Sequence, residues 1–76
     1  MGQQIYLDSY SKAKQISDLA NKESYEIYIS NSSVVLDAKS LLGLFSLVGQ
    51  HVFITSESGV DPCKFKAFLD KVMVYV

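Results

Sequence analysis

Ser40 offers a reactive hydroxyl at a position that the surrounding sequence defines well. It stands directly before an apolar run in which Leu41, Leu44 and Phe45 recur at i, i+3 and i+4, and this spacing predicts a short helix with Ser40 as its N-cap. A cap hydroxyl satisfies free backbone N–H groups, and a phosphate attached to it would face those groups and the positive end of the helix dipole. Ser40 is therefore either a cap and nothing more, or a cap that also accepts a phosphoryl group.

A second set of polar groups precedes the first predicted helix. Either Ser9 or Ser11 can cap this helix, while Lys12 and Lys14 place positive charge in its first turn, where charge of this sign opposes the dipole. Two interpretations stay open: two solvated lysines, or a weak anion site made of serines, lysines and helix amides.

The other reactive side chains do not form a catalytic or metal-binding motif. His51, the only histidine, falls near the start of a predicted strand, and Cys63, the only cysteine, falls in the first turn of the last predicted helix. The carboxylates are scattered over different elements, and the sequence contains no glycine-rich phosphate loop and no nucleophile elbow. We therefore predict that the chain is not an enzyme and needs no cofactor or metal.

The composition restricts the class of protein further. A length of 76 residues predicts one domain, residues 1–76, and a hydrophobic fraction of 49% predicts that it folds. The formal net charge is -1 and all 7 basic residues are lysines, so the guanidinium groups that usually recognise nucleic acid are missing. With no leader pattern and no long apolar run, we expect a cytoplasmic protein without membrane insertion, monomeric or weakly dimeric.

Hydrophobic periodicity predicts seven elements along the chain. They are a strand at 3–8, a helix at 12–21, a strand at 25–30, a strand at 33–37, a short helix after Ser40, a strand around 52–55 and a helix that opens at 61–62. The last helix is the clearest, because Asp61 is a capping residue, Pro62 suits the first helical position, and an apolar stripe follows. This stripe comprises Phe65, Phe68, Leu69, Val72 and Met73.

The order βαββαβα predicts an α+β fold of two layers, an open-faced sandwich. In it three helices cover one face of a four-stranded antiparallel sheet. The second and third strands should form a hairpin through a short turn at Asn31 and Ser32. Tyr6, Tyr28 and Val35 fall on the face that the helices leave uncovered.

Residues 38–47, with the sequence Ala-Lys-Ser-Leu-Leu-Gly-Leu-Phe-Ser-Leu, resemble the regulatory-serine segment of HPr, the small phosphocarrier of the bacterial sugar phosphotransferase system. They resemble that of Crh, an HPr paralogue in carbon catabolite repression, more closely still. The resemblance also takes in residues 3–4 and 26–29 and the order of the elements. It implies that Ser40 is a regulatory phosphoserine modified by HPr kinase, with Lys39, Leu41, Leu42 and Phe45 binding partner proteins.

The resemblance fails at the residues that carry the phosphoryl group in HPr. An active HPr has a histidine at the entrance to its first helix, an arginine two residues later and then a proline. Counting back from Ser40 without gaps places Ser9, Ser11 and Lys12 at these three positions, so the active site is degenerate here. Phosphohistidine transfer needs an imidazole nitrogen, and a serine hydroxyl is neither acidic enough nor a good enough leaving group to replace it.

The resemblance therefore implies an HPr-like phosphocarrier homologue without the active-site histidine, acting as a Crh-like regulatory and protein-binding module. Its expected partners are HPr kinase, a transcriptional regulator or components of the phosphotransferase system. One alternative is a diverged HPr-fold scaffold or interaction domain with no phosphorylation chemistry. Another is a phosphocarrier that uses an unexpected acceptor.

Overall fold

The computed structural model describes residues 2–74, which form four strands and three helices. In chain order these are β1 (Gly2–Leu7), α1 (Tyr10–Asn21), β2 (Ile27–Ser30), β3 (Val35–Asp37), α2 (Leu41–Phe45), β4 (Gln50–Ser56) and α3 (Pro62–Val74). The predicted order βαββαβα and the α+β fold class are confirmed.

The strands form one antiparallel sheet in the order β1-β4-β2-β3. β2 and β3 make the predicted hairpin, with Ile29 opposite Leu36. β4 lies between β1 and β2, so that Val52 stands opposite Ile5 and Ile54 opposite Ile29. The connection to β4 bends at Gly49, whose φ of 90° favours glycine.

Every second residue of the strands points into the core, as the period-2 alternation requires. The inward residues from β1, β2 and β4 are Ile5, Leu7, Ile27, Ile29, Val52 and Ile54. Ile16 of α1, Leu44 of α2 and Phe65 and Phe68 of α3 cover them from the helical layer. Each fully buried side chain of this size contributes about 1.5–3 kcal/mol, so this contact between the two layers is the main source of stability.

The opposite face of the sheet is not covered by helices, as predicted. Tyr6 and Val35 are exposed there and Tyr28 is half-buried. Phe53 is also exposed on this face. The sequence alone does not decide on which face of the sheet Phe53 lies, because apolar residues occur on both sides of β4. The register places Phe53 opposite Gln4 on one side and Ser30 on the other.

Two predicted strands begin later than expected, because side chains take over part of the backbone hydrogen bonding. Before β2, the Glu57 carboxylate accepts the Glu26 N–H at 2.8 Å, so Tyr25 and Glu26 lie outside the strand. Before β3, Asn31 Oδ1 accepts the N–H groups of Ser33 and Val34. The predicted two-residue turn is therefore wrong, and the loop spans residues 31–34.

The helix boundaries also differ from the prediction. α1 begins at Tyr10 and not at Lys12, because Ser9 is the N-cap and Ser11 is already helical. In α3, Asp61 Oδ1 accepts the Cys63 N–H at 2.9 Å, and four of the five stripe residues are buried. The exception is Met73, with 43% of its surface exposed near the end of the helix. No helix within residues 2–74 is long and apolar enough to cross a membrane.

Candidate functional site

The N-terminus of α1 and the short helix α2 pack side by side. The ring of Tyr10 meets the ring of Phe45 edge-on, with 5.1 Å between the ring centroids and an interplanar angle of 80°. Edge-to-face pairs of this kind are favoured by the aromatic quadrupole. We call this region, with Tyr10 of α1 and with Ser40, Leu42 and Phe45 of α2 and its cap, the α1–α2 surface.

Ser40 is the N-cap of α2, as predicted. Its Oγ accepts the Gly43 N–H at 3.3 Å, and its own N–H donates to the carbonyl of Asp37 at 3.0 Å. The residue is exposed, and a Cβ at Gly43 would lie 3.4 Å from the hydroxyl oxygen. The hydroxyl therefore combines a structural hydrogen bond with access from solvent.

The chain just before Ser40 is anchored to α1 through the carbonyl of Lys39. Ser17 Oγ and Asn21 Nδ2 both donate to this carbonyl, at 3.2 Å and 3.1 Å. The Lys39 N–H donates to Asp37 Oδ1 at 2.8 Å, and the Lys39 ammonium lies 3.9 Å from a Glu26 carboxylate oxygen. These contacts hold the entrance of α2 in place against α1.

The apolar residues of α2 differ sharply in exposure. Leu44 is fully buried, Leu41 and Phe45 are half-buried, and Leu42 has 81% of its surface exposed. A leucine that projects this far from a short helix, two residues after Ser40, is available for contact with another molecule. Of the predicted partner-binding residues, Leu42 is the most accessible, and Lys39 is half-buried.

Ser9 is engaged in capping α1. Its Oγ accepts the Lys12 N–H at 3.1 Å, and its carbonyl accepts the Ala13 N–H at the same distance. Ser11 is exposed in the first turn of the helix. The choice between Ser9 and Ser11 as the cap is thereby decided in favour of Ser9.

Lys12 corrects the prediction of two solvated lysines. It is only 6% exposed, and its ammonium donates to the carbonyl of Tyr6 at 3.1 Å and lies 3.3 Å from Asp8 Oδ1. An ammonium already held by a carbonyl and a carboxylate is poorly placed to bind an anion, which argues against the weak anion site as well. Lys14 is solvated as predicted, and pairs with Asp18 at 2.9 Å.

His51 is exposed on β4, near the start of the strand as the sequence predicts. Its ring packs against Tyr6 on the neighbouring strand, with 4.9 Å between the centroids. Both side chains belong to the uncovered face of the sheet, whereas α1 belongs to the helical layer on the other face. The imidazole therefore does not reach the entrance of α1.

No cluster of three or more metal-ligating side chains occurs within the described residues 2–74. Burial, together with the nearby Glu23 carboxylate, raises the pKa of the Tyr25 phenol above its ordinary value. Tyr25 lies beside the start of α3 and donates to the Lys64 carbonyl at 3.4 Å, so this shift belongs to the packing of the core and not to the α1–α2 surface.

Sequence reasoning missed Tyr10, Ser17 and Asn21. Tyr10 directly follows a serine that can cap a helix, but no local pattern indicates that its ring meets Phe45 of another helix. Ser17 and Asn21 are four residues apart and therefore share one face of α1, a pattern that could have been read as a polar stripe. That they donate to the carbonyl of Lys39 becomes visible only in three dimensions.

Known structures with a similar fold are HPr proteins. HPr-C-His from Thermoanaerobacter tengcongensis superposes with a TM-score of 0.73 and 22% identity, covering 96% of this chain and 91% of that one. The phosphocarrier protein HPr from Bacillus anthracis strain Ames gives 0.71 and 24%, with 100% and 95% covered. A histidine-containing phosphocarrier protein from Mycoplasma gives 0.74 and 16%, with 99% and 93% covered.

The chain therefore has an HPr-like fold, and the resemblance in fold extends over its whole described length. Neither a protein-family model nor a curated protein matches the sequence. Two of the three structures are described as phosphocarrier proteins. At this level of identity the similarity concerns the fold, and function has to be argued from the residues.

Proposed function

We propose that this chain is an HPr-like regulatory module of the Crh type, which acts by binding protein partners and not by carrying phosphate on histidine. The observation that carries the proposal is the exposure of Leu42, 81%, two residues after the exposed Ser40. An apolar contact and a modifiable hydroxyl thus lie on the same short helix. The hydroxyl of Ser9, at the proposed position of the missing histidine, is in contrast used to cap α1.

Phosphorylation of Ser40 would regulate binding through local charge. A phosphoserine adds about -1.5 to -2 charges at neutral pH. The nearest charged side chains in sequence are Asp37 and Lys39, of which Lys39 lies close to Glu26. The added charge would therefore repel an acidic partner at Leu42 and attract a basic one, and it would weaken an apolar contact because the phosphate would have to lose its water.

The same proposal covers the partners and the setting of the protein. HPr kinase, a transcriptional regulator or phosphotransferase components are the partners that fit an apolar patch of Leu41, Leu42 and Phe45 flanked by Lys39. The protein would act in the bacterial cytoplasm as a single domain over residues 1–76, monomeric or weakly dimeric. It would need no cofactor.

Incubation with an HPr kinase and ATP, followed by mass spectrometry, tests the modification. We expect one added phosphate on Ser40, none in a Ser40→Ala variant, and unchanged modification in a Ser46→Ala variant, which removes a neighbouring hydroxyl that already donates to Gly43. A normal HPr treated in parallel shows that the kinase is active. If that control is modified while Ser40 stays unmodified, the phosphoserine part of the proposal is wrong.

The alternative is an HPr-fold scaffold or interaction domain without phosphorylation chemistry. It is favoured by the hydrogen bond from Gly43 to Ser40, because capping alone already accounts for a serine at this place. In a pull-down or titration with a candidate partner, this alternative predicts that Ser40→Asn and Ser40→Asp bind equally well. Both variants keep a capping side chain, so a difference between them isolates the added charge and favours the regulatory proposal.

A phosphocarrier with an unexpected acceptor makes a separate prediction. Enzyme I and phosphoenolpyruvate would then give an acid-labile phosphoryl adduct on this chain. We expect no such adduct, because the Ser9 hydroxyl is a cap and His51 lies on the other face of the sheet. Detection of the adduct would overturn the regulatory assignment.

A further inference from the structure

The ring of Phe53 lies in the middle of the uncovered sheet face with uncharged polar side chains around it. Gln4 stands opposite Phe53 on β1 and Ser30 stands opposite it on β2. His51 and Thr55 are two residues away along β4 and therefore point to the same side. Phe53 has 47% of its surface exposed. We call Phe53 and these four residues the Phe53 face.

The loop between β2 and β3 borders this face on one side, and the two together form a shallow cavity. The cavity has a volume of about 400 Å³, and Asn31 and Ser32 of the loop between β2 and β3 line it together with the Phe53 face. Asn31 is held rigidly, because its Nδ2 donates to Gln50 Oε1 at 2.7 Å and its Oδ1 accepts two backbone N–H groups. This side of the cavity is therefore preorganised, so that little conformational entropy is lost when a ligand binds.

The polar groups of the side chains around Phe53 are free to form hydrogen bonds with a ligand. None of the hydrogen bonds among residues 2–74 uses the side chains of Gln4, Ser30, His51 or Thr55. Together they offer an amide, two hydroxyls and an imidazole, which can both donate and accept hydrogen bonds. A ligand can engage them without breaking a bond within the protein.

The residue types that line the cavity restrict the kind of ligand that it can bind. None of the residues that line it is an aspartate, glutamate, lysine or arginine, so the cavity offers no permanent opposite charge to phosphate, carboxylate or ammonium groups. A binding site typically combines an apolar surface with a few polar groups that fix orientation. The matching ligand is a neutral ring with one apolar face and several hydroxyl groups at its edge.

We propose that the Phe53 face binds a neutral saccharide. The C–H groups on one face of a pyranose ring would stack on the phenyl ring of Phe53. Its hydroxyls would form hydrogen bonds with Gln4, Ser30, His51 and Thr55. This site uses none of the residues of the α1–α2 surface. The saccharide proposal can therefore be right or wrong independently of the proposed regulatory role.

Titration of the ¹⁵N-labelled full chain with methyl β-D-glucopyranoside and with cellobiose, followed by NMR, tests this proposal. We expect saturable shifts confined to the amides of the Phe53 face, with a dissociation constant on the order of millimolar. The ring protons of the saccharide should shift upfield, because they lie over an aromatic face. If neither methyl β-D-glucopyranoside nor cellobiose shifts these amides at concentrations about tenfold above that constant, the proposal is wrong.

Substitutions separate stacking from nonspecific contact. Phe53→Ala should weaken binding about tenfold or more, whereas Phe53→Tyr, which keeps the ring, should retain it. Met73→Ala is a matched control, because Met73 is exposed to a similar degree, 43%, but lies on α3. If Phe53→Ala loses its dispersed amide spectrum, Gln4→Ala replaces it, with an expected loss of about threefold.

Two other occupants of this face are outcomes that would contradict the proposal. Adenosine that shifts the same amides as strongly as the saccharides would identify a stacking surface for nucleobases. If the amide signals of the Phe53 face shift with protein concentration when no ligand is present, the face is a contact between two copies of the chain. Saccharide binding that Phe53→Ala leaves intact would also refute the site.

Discussion

Ser9 and Ser40 perform the same local task in very different surroundings. Each hydroxyl accepts the N–H of the residue three positions later, Lys12 at 3.1 Å and Gly43 at 3.3 Å. The Ser9 cap begins a helix of 12 residues beside the buried Lys12, whereas the Ser40 cap begins a helix of 5 residues and is followed by the projecting Leu42. The first cap serves the fold, while the second is left open to other molecules.

The difference shows that a capping motif alone does not identify a functional serine. Both serines satisfy the sequence rule for an N-cap, and only their surroundings separate them. Ser9 is enclosed by contacts that join β1 to α1, including the bond from Lys12 to the carbonyl of Tyr6. Four substitution experiments, taken from the largest expected effect to the smallest, test whether this contrast is correct.

Replacing Lys12 tests whether the region around Ser9 is closed. Lys12→Ala removes the buried stem and leaves the Tyr6 carbonyl without its ammonium donor, so we expect a loss of about 2–3 kcal/mol in the free energy of unfolding. Urea denaturation followed by circular dichroism measures it. The control is Lys14→Ala, which removes only an exposed pair with Asp18 and should cost less than about 0.5 kcal/mol. Equal losses would show that Lys12 is not structurally special.

Charged substitutions in α2 test whether the region around Ser40 is open. Phe45→Asp should cost about 1–2 kcal/mol, because it removes the ring contact with Tyr10 and places a negative charge at the C-terminal end of the helix. Leu42→Asp should change stability by less than about 0.5 kcal/mol, because the side chain is exposed. Thermal denaturation distinguishes the two.

The same pair sharpens the test of partner binding. Leu42→Asp should abolish binding of a partner at the α1–α2 surface while the fold persists, so its effect is a clean measure of the contact. Phe45→Asp should also abolish binding, but part of its effect would come from the altered packing of α2. A partner that still binds the Leu42→Asp variant with full affinity would place the interface elsewhere.

Removing the two cap hydroxyls compares the serines directly. Ser9→Ala should destabilise the chain by about 1 kcal/mol, which is typical of an N-cap. Ser40→Ala should cost only about 0.5 kcal/mol, because water can replace the lost acceptor at an exposed, short helix. For a domain of this size, about 1 kcal/mol corresponds to roughly 4–8 °C in Tm. A larger loss for Ser40→Ala than for Ser9→Ala would reverse the contrast.

A pH titration at Tyr25 provides a small effect that lies outside both regions. Burial and the Glu23 carboxylate raise the pKa of this phenol above its unfolded value, so the folded state favours the neutral form. The stabilisation is fully present below the unfolded pKa, about 10, and is lost as the pH rises through the higher folded value. Denaturation at several pH values between about 9 and 12 should show this decline in the wild type.

Tyr25→Phe is the variant that checks the origin of this decline. It should reduce the dependence of stability on pH in the alkaline range, while the Ser9→Ala and Ser40→Ala variants keep it. An unchanged decline in the Tyr25→Phe variant would mean that another group is responsible. The absorbance of tyrosinate, taken as the difference between the wild type and the Tyr25→Phe variant, reports the ionisation of Tyr25 as a check that does not depend on unfolding.

The architecture was predictable because hydrophobic periodicity is a local property of this sequence. The alternation around Ile5, Ile27 and Val52 identifies three of the strands, and Asp61-Pro62 with the stripe after it identifies α3. The boundaries at Tyr25 and Ser33 were not predictable in this way, because side chains from elsewhere or from the loop itself replace strand hydrogen bonds there. Met73 follows the helical spacing but lies near the end of α3 and is exposed there.

The candidate site was predictable to a lesser degree. The cap of Ser40 follows from the residues around it and is confirmed, but its phosphorylation stays a prediction. The sequence leaves Lys12 either solvated or part of a weak anion site, because only the folded chain brings the Tyr6 carbonyl and Asp8 to its ammonium. The Tyr10 and Phe45 rings lie on different helices, so their contact depends on how α1 and α2 pack.

The position of β1 at one side of the sheet affects how the chain can fold during synthesis. β1 leaves the ribosome before β4, yet its pairing partners are residues 50–55 of β4. A nascent chain that ends before β4 has emerged holds β1 without its hydrogen-bonding neighbour, even though α1 and the β2–β3 hairpin have their local contacts. Release of β4 from the exit tunnel is therefore the step that closes the sheet, and translational pauses before it would prolong exposure of the apolar side of β1 to chaperones.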